Sequence, residues 1–353
     1  MTQRLLIYIF FLSASLFSSP KLAEKVADPQ NSSSGFQAGD MIMHHILDSH
    51  EWHILDWRGH SVSIPLPIII FHEGKGLNVF MSSKFNHGKN TYRGYKMDHG
   101  NIVFVNKNDQ INKAETAKIW DLSITKNVFS LFFSSILLIL IFTKISRRYQ
   151  QKSQSPPKGI QSFIEPIIIF IRDDIAKSAI GEKEHKKFLP FLLTVFFFIF
   201  LNNLLGLVPF FPGGANLTGN IAVPMVLAAL VFIITTISGK KYYWQHIFAM
   251  PGVPKPVLLI LTPIEIFGVL LKPLVLMIRL FANITAGHII ILSFFSMIFI
   301  FGEMSPIAGY GVSFFSILFV LFMMTLELLV AFLQAYVFTL LAAMYFGSAV
   351  EEH

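Results

Sequence analysis

Five ionisable side chains stand where the chain otherwise reads as lipid-soluble: Glu265, Lys272, Arg279 and His288 in one apolar run, and Glu327 in the next. Ionisable groups inside a membrane are costly, so each is a functional candidate by default. Carboxylates and imidazole titrate and can pass protons on, whereas a guanidinium keeps its proton at any accessible pH. Arg279 is therefore a fixed cation among titratable neighbours: it would repel a mobile cation, attract a passing carboxylate, and act as a gate rather than a relay. Glu265, Lys272 and Arg279 are seven residues apart, which on a helix keeps them on one stripe drifting only about 20° per step. Asn283 extends that stripe by one turn, while His288 lies about half a turn round and about 13 Å further on. Glu327 and Gln334, also seven apart, share a face of the following helix, and Asn202 and Asn203 add amides to an earlier run. The blander account is that these groups hold a bundle together or snorkel to an interface, and for Lys272 snorkelling is the better reading.

The elements that must position these residues follow from composition. Of 353 residues, 53% are hydrophobic and 14% charged, with 37 phenylalanines, the profile of a polytopic membrane protein. Apolar runs occur at 128–143, 188–211, 221–238, roughly 257–301 and 312–349. The first three suit one crossing each at about 20 residues per span. The last two, about 60 Å or more if helical, are too long to cross upright. They predict two long, strongly tilted helices forming a C-terminal hairpin around "GEMSPIAGYG" (302–311), with Pro263 and Pro273 able to kink the first. The alternative is two ordinary spans in each run.

Charge sets the orientation. The net charge is +7, but ten Lys or Arg fall between Lys144 and Lys187, beside apolar spans, so they read as topology signals and not as a nucleic-acid face. Loop 239–256 adds Lys240, Lys241 and Lys255, whereas 212–220 and 302–311 carry no Lys or Arg. The positive-inside rule then gives an external N-terminus, five crossings and a cytoplasmic "EEH" tail. Within the inner loop, "FIEPIIIFIRDDIAKSAI" (163–180) aligns Phe163, Ile167, Ile171 and Ile175, a helix expected to lie on the inner membrane surface.

The N-terminal part differs. "MTQRLLIYIFFLSASLFSS" (1–19) has the layout of a signal peptide, with an uncleaved anchor as the alternative. A polar linker follows, and residues 20–118 are expected outside the cytoplasm, with a small, partly β domain from about Gly39 that includes strands in "HSVSIPLPIIIF" and "GNIVFVN". The membrane domain is then 119–353. Eight of the twelve histidines fall in the N-terminal part, including "HHILDSHEWH" (44–53). A metal site there is conceivable, because His50 and His53 would share a helix face, but the run lacks H-E-x-x-H. Exposed histidines without a ligand are the plainer reading, and no metal or cofactor is assigned. The absence of cysteine excludes disulfides, thiol nucleophiles and thiolate-bound metals.

At this point the chain resembles subunit a of the F-type rotary ATP synthase. "RLFANITAGH" (279–288) is similar to the family's R-L-F-x-N-x-x-A-G-[EH], "LQAYVF" (333–338) to its L-Q-A-[FY]-[IV]-F, and "NNLLGLVP" (202–209) to its N-x-x-[DG]-L-[LV]-P. The resemblance covers about residues 120–353; the extended N-terminal part departs from it. It implies a stator subunit of the bacterial inner membrane in which Arg279 faces a ring of c subunits, each with one carboxylate. It further implies two offset aqueous half-channels, with Asn203, Asn283, His288, Glu327 and Gln334 lining the external one and Glu265 near the inner one. Peripheral-stalk b subunits and the other synthase subunits would be partners. Many bacterial relatives carry Glu at the position of His288 and His at that of Glu327, so the pair here looks exchanged. Gly206 stands where some relatives have Asp, so no carboxylate role transfers there.

A secondary transporter or channel is the main competing class; it would show repeats and interrupted helices. An intramembrane protease lacks its motifs here, and no G-x-x-x-x-G-K-[ST] loop offers a nucleotide site. The chain is therefore expected to be non-catalytic.

Overall fold

The computed structural model describes residues 37–351 apart from 58, 59, 99, 107, 152–156, 158 and 209. The signal-peptide reading, nearly all of the linker and the last two residues lie outside the described residues.

The polar N-terminal stretch folds as anticipated from its alternation, with more strands than the two fragments suggested. After helix α1 (Ala38–Ile46) come β1 (Glu51–Trp57), β2 (His60–Pro65), β3 (Pro67–His72), β4 (Gly76–Met81), β5 (Tyr95–Asp98), β6 (Asn101–Phe104), the short helix α2 (Lys113–Thr116) and β7 (Ile119–Asp121). All pairings are antiparallel: β1 with β2, β5 with β6, and β3 between β4 and β7. Strand β3 turns Ile68, Ile70 and His72 inward and Phe71 outward, so its period of two buries one face. Those isoleucines close a core with Phe80, Phe85, Tyr95 and Ile102. Because β7 pairs with β3, this domain continues past Lys118.

Two readings of the histidines need correction. Helix α1 ends at Ile46, and His53 is on strand β1, so His50 and His53 share no helix face. Nor are these histidines all exposed: His50 and His72 are buried, His50 Nε2 lying 3.2 Å from Asp121 and His72 bonding Tyr95 at 3.0 Å and Glu115 at 3.2 Å. The physical reason is that strands alternate faces, which sends His72 into the core with the isoleucines.

The membrane portion consists of α3 (Lys126–Gln151), α4 (Ile160–Phe170, prolonged by a π-helical turn, Ile171–Lys177, and a last turn, Ser178–Ile180), α5 (His185–Leu207), α6 (Ala222–Ser238), α7 (Lys241–Phe248), α8 (Lys255–Met304) and α9 (Pro306–Val350). Among the described residues, four of these helices (α3, α5, α8 and α9) are long and apolar enough to cross a membrane. α6 and α7 make a fifth if the pair, bent by 105°, is one span. The 50-residue α8 and 45-residue α9 are each a single helix, about 75 and 68 Å long. Neither is two spans, and α8 continues through Pro263 and Pro273. Their antiparallel pairing is fixed along its length by Phe294 stacked on Phe319 at 5.2 Å and by Lys272 over the Tyr345 ring at 5.5 Å.

Small residues govern how closely α9 is approached. Ala331, Ala335, Ala342 and Ala343 are all but fully buried, and such residues let helix backbones come together without a driving force from water. Phe188, Leu192 and Phe196 of α5, with Leu276 and Leu280 of α8, complete this core. Gly347 is required near its end, because a Cβ there would collide with the Ala179 carbonyl of α4. The stripe predicted on α4 shifts accordingly: Ile164, Ile171 and Ile175 are buried in the protein core, and Phe163 is 67% exposed. The inward period starts one residue later than the sequence suggested.

Candidate functional site

Helices α8 and α9 bring His288 and Glu327 together. His288 Nδ1 is 3.6 Å from Glu327 Oε1, just beyond a direct hydrogen bond, so a small rotation or one bridging water joins them. Glu327 is 5% exposed, and neither carboxylate oxygen has a hydrogen-bond partner among the described residues. Gly287 makes room for this acid: a Cβ there would stand 2.7 Å from Glu327 Oε1. Gly206 of α5 closes the other flank, with the position of its absent Cβ 3.6 Å from His288 Nε2. A methyl group at 206 would rest against the imidazole in ordinary van der Waals contact.

Around this pair the amides are held by neighbouring elements. Asn203 is buried; its Nδ2 donates to the Ala331 carbonyl of α9 at 3.4 Å, and its Oδ1 accepts from Thr218 at 2.7 Å. Thr218 belongs to the turn before α6, whose Gly219 carbonyl accepts from Thr285 of α8 at 3.5 Å. One turn of loop thus ties α5, α8 and α9 at the level of His288. Gln334 is buried two turns from Glu327 on the same side of α9.

Arg279 is half-buried, and its guanidinium has no ion pair or hydrogen bond among the described residues. It lies within electrostatic reach of Tyr345 on α9. Asn283, one turn on, is exposed and lies off the His288–Glu327 pair. Glu265 is half-buried near the start of α8, far from both. The seven candidates therefore separate. His288, Glu327, Asn203 and Gln334 sit inside the helix bundle, whereas Arg279 and Asn283 lie at its open face and Glu265 toward one end. That face is apolar and uncovered, with Leu271, Leu274, Val275 and Ile278 all exposed, as expected of a surface meeting lipid or another membrane protein. The arrangement is chemically suited to taking up a proton at the inner pair and presenting a fixed cation outward. Among the described residues no group of three His, Asp or Glu could hold a metal.

Sequence reasoning missed two groups beside this site. Lys126, at the first residue of α3, is buried, donates to the His45 carbonyl at 3.1 Å and lies within electrostatic reach of His288. Asp48 accepts from the backbone N–H of Asn127 at 3.0 Å, and burial pushes its carboxyl above the usual range despite bonds from Thr125 and Asn127. A lysine opening an apolar run, at a position expected to lie outside the cytoplasm, was the available signal.

The family described as ATP synthase A chain matches residues 128–347, more than half the chain. A second, described as a domain of unknown function (DUF8433), matches residues 41–122. Among curated proteins, ATP synthase subunit a 2 of Chlorobaculum tepidum is 47% identical over 236 residues, 65% of this chain and 64% of that one. ATP synthase subunit a of Chlorobium phaeobacteroides (strain DSM 266 / SMG 266 / 2430) is 44% identical over 243 residues, 66% of this chain and 68% of that one. That of Anaeromyxobacter dehalogenans is 37% identical over 241 residues, 66% and 59% of the two chains. This chain is thus aligned with about two thirds of the relatives' length, and it belongs to the ATP synthase A chain family.

Proposed function

We propose that this chain is the stator subunit of a rotary ATP synthase in a bacterial inner membrane, coupling transmembrane proton flow to rotation of a ring of c subunits and so to ATP synthesis. The observation that carries this is the separation of charges: a titratable His288–Glu327 pair inside the bundle, and an unpaired Arg279 at an uncovered apolar face. A cation held there in low dielectric attracts a rotor carboxylate and bars protons from passing directly between two half-channels. Protons then travel around the ring. Asn203, His288, Glu327 and Gln334 line the external half-channel, Asn283 borders it where it meets the ring, and Glu265 belongs to the inner one. The chain does no catalysis itself; b subunits and the remaining synthase subunits complete the complex.

The topology fits five crossings, with residues 20–118 and the turn 302–311 outside and Glu351 in the cytoplasm. Inclination of the hairpin follows from levels. Lys126, at the outer end of α3, is within electrostatic reach of His288, yet α8 runs on to Met304, about 24 Å further. Upright, that apolar stretch would stand in water; inclined, it stays in lipid.

The deciding experiment is Arg279→Ala in the intact complex. The complex should purify with its ring of two-helix subunits, while proton-driven ATP synthesis falls to background, at least 100-fold below the parent, taken as the order of magnitude for losing a desolvated charge contact. Substantial coupled synthesis by the variant would reject the proposal.

A further inference from the structure

The N-terminal domain is fastened to the membrane portion beside His288, and the fastening is polar. Segment 45–52 supplies the contacts. The His45 carbonyl accepts from Lys126 Nζ, the Ser49 carbonyl from Lys126 N–H at 2.9 Å, and Asp48 from Asn127 N–H. Trp52 packs edge-on against Phe129 of α3 at 5.7 Å and Phe211 of the α5–α6 loop at 5.3 Å. This segment therefore closes over the ends of α3 and of that loop.

Beneath the closure, α3 exposes Ile136, Ile139 and Leu140 on one face but buries polar residues on another. Asn127, Ser130 and Ser134, spaced by three and four on one helix face, are all 2% exposed or less. Asn127 Oδ1 has no hydrogen-bond partner, and neither does Asn216 Nδ2 in the α5–α6 loop, nor either oxygen of Glu327. Buried amides and carboxylates are hydrogen-bonded as a rule, and a polar lining with several such atoms is where internal water resides. Lys126 stands at the top of this lining, buried, with one carbonyl as its acceptor, the Asp48 carboxyl as its acidic neighbour and His288 in its field.

From this we infer that the N-terminal domain roofs the outer mouth of the path to His288 and Glu327, and that Lys126 is a cation at that mouth. It borders a water-filled entry walled by Asn127, Ser130 and Ser134. The inference rests on the half-channel reading above. The ammonium raises the local potential for every cation that approaches the mouth, protons included. Lys126 thus sets how readily cations enter, and the domain sets where the entrance opens.

The chain contains no cysteine, so Ser130→Cys is a clean reporter and nearly isosteric. In the assembled complex, silver ion applied from the external side should inactivate ATP-driven proton pumping of this variant and not of the parent. Adding Lys126→Met or Lys126→Gln should raise the rate of silver inactivation about five- to tenfold, the size of one charge's field at about 10 Å in a semi-polar medium. Lys126→Arg should not raise it, and neutral methyl methanethiosulfonate should react at one rate in all of them, which a merely loosened structure would not do. A Ser130→Cys complex indifferent to external silver, or a silver rate indifferent to the charge at 126, overturns the inference. The two readings fail separately: pumping that survives His288→Ala undoes the half-channel itself, whereas pumping that needs His288 beside a silent Ser130→Cys removes only the roof.

Discussion

The water-exposed domain and the membrane portion treat their buried charges in opposite ways. In the domain, His72 is satisfied on both ring nitrogens by Tyr95 and Glu115, and Asp121 by His50 and Ser123. Those groups are matched within the chain, which is what stability requires of buried polar atoms. In the helices, Arg279 has no counter-charge, Lys272 has an aromatic ring, and Glu327 a histidine just out of bonding distance. Such groups are unfinished until water or a second protein arrives. A mutation in the domain should therefore be read in stability, and one in the hairpin in transport.

The sharpest break of that contrast is Glu327→Gln, which keeps the volume and deletes the titratable group. Pumping should fall by at least about tenfold, the usual range for removing a proton-transfer group, with assembly intact. The double exchange His288→Glu with Glu327→His, which restores one imidazole and one carboxylate across the same 3.6 Å gap, should recover part of it. Gly287→Ala comes next. Its Cβ would meet Glu327 Oε1 at 2.7 Å, but that atom is the end of a flexible side chain. The carboxylate should swing aside, lowering pumping about three- to tenfold while the complex assembles normally. Loss of assembly instead would mean that this acid is structural.

The two regions also differed in how much the sequence disclosed. Helices α8 and α9 were legible because unbroken apolar runs of that length have few alternatives, and the family resemblance, which sets His288 and Glu327 in exchanged positions, pointed to a contact between them. What could not be read was which face of each helix the protein covers: Phe163 and Asn283 fell on exposed faces because partner surfaces, not periodicity, decide that. In the domain, the strands of "HSVSIPLPIIIF" were clear, yet strand β1 was hidden in a histidine-rich run whose spacing also fits a helix. Asp48 and Lys126 escaped notice because they matter only through a contact between segments some 80 residues apart in sequence, His45 with Lys126.

Within the domain the predicted effects are smaller and appear as stability. His72→Phe keeps the packing against Tyr95 and Phe104 but leaves the buried Tyr95 hydroxyl without its partner, whereas Glu115 keeps Lys118. A cost of about 3 kcal/mol is expected, near the upper end for an orphaned buried polar group. It should be measured as faster proteolysis of the domain in the intact complex, with pumping unchanged until cleavage.

Asp121 should give the smallest effect and fixes its own pH window. Burial alone would raise its carboxyl, but the hydrogen bond and charge of His50 and the bonds from Ser123 outweigh it, so it lies below the usual range. A carboxyl depressed in the folded state stabilises the fold above its unfolded value, near 4, and that contribution is lost as pH falls through the folded value. The parent domain should therefore become more protease-sensitive only below about pH 4, by about 2 kcal/mol, the order of one charge-assisted hydrogen bond. Asp121→Asn should already have lost this stabilisation at neutral pH and show a flatter acid limb. If both proteins share the same acid limb, His50 and Asp121 are not coupled, and the paired character claimed for this domain fails at that contact.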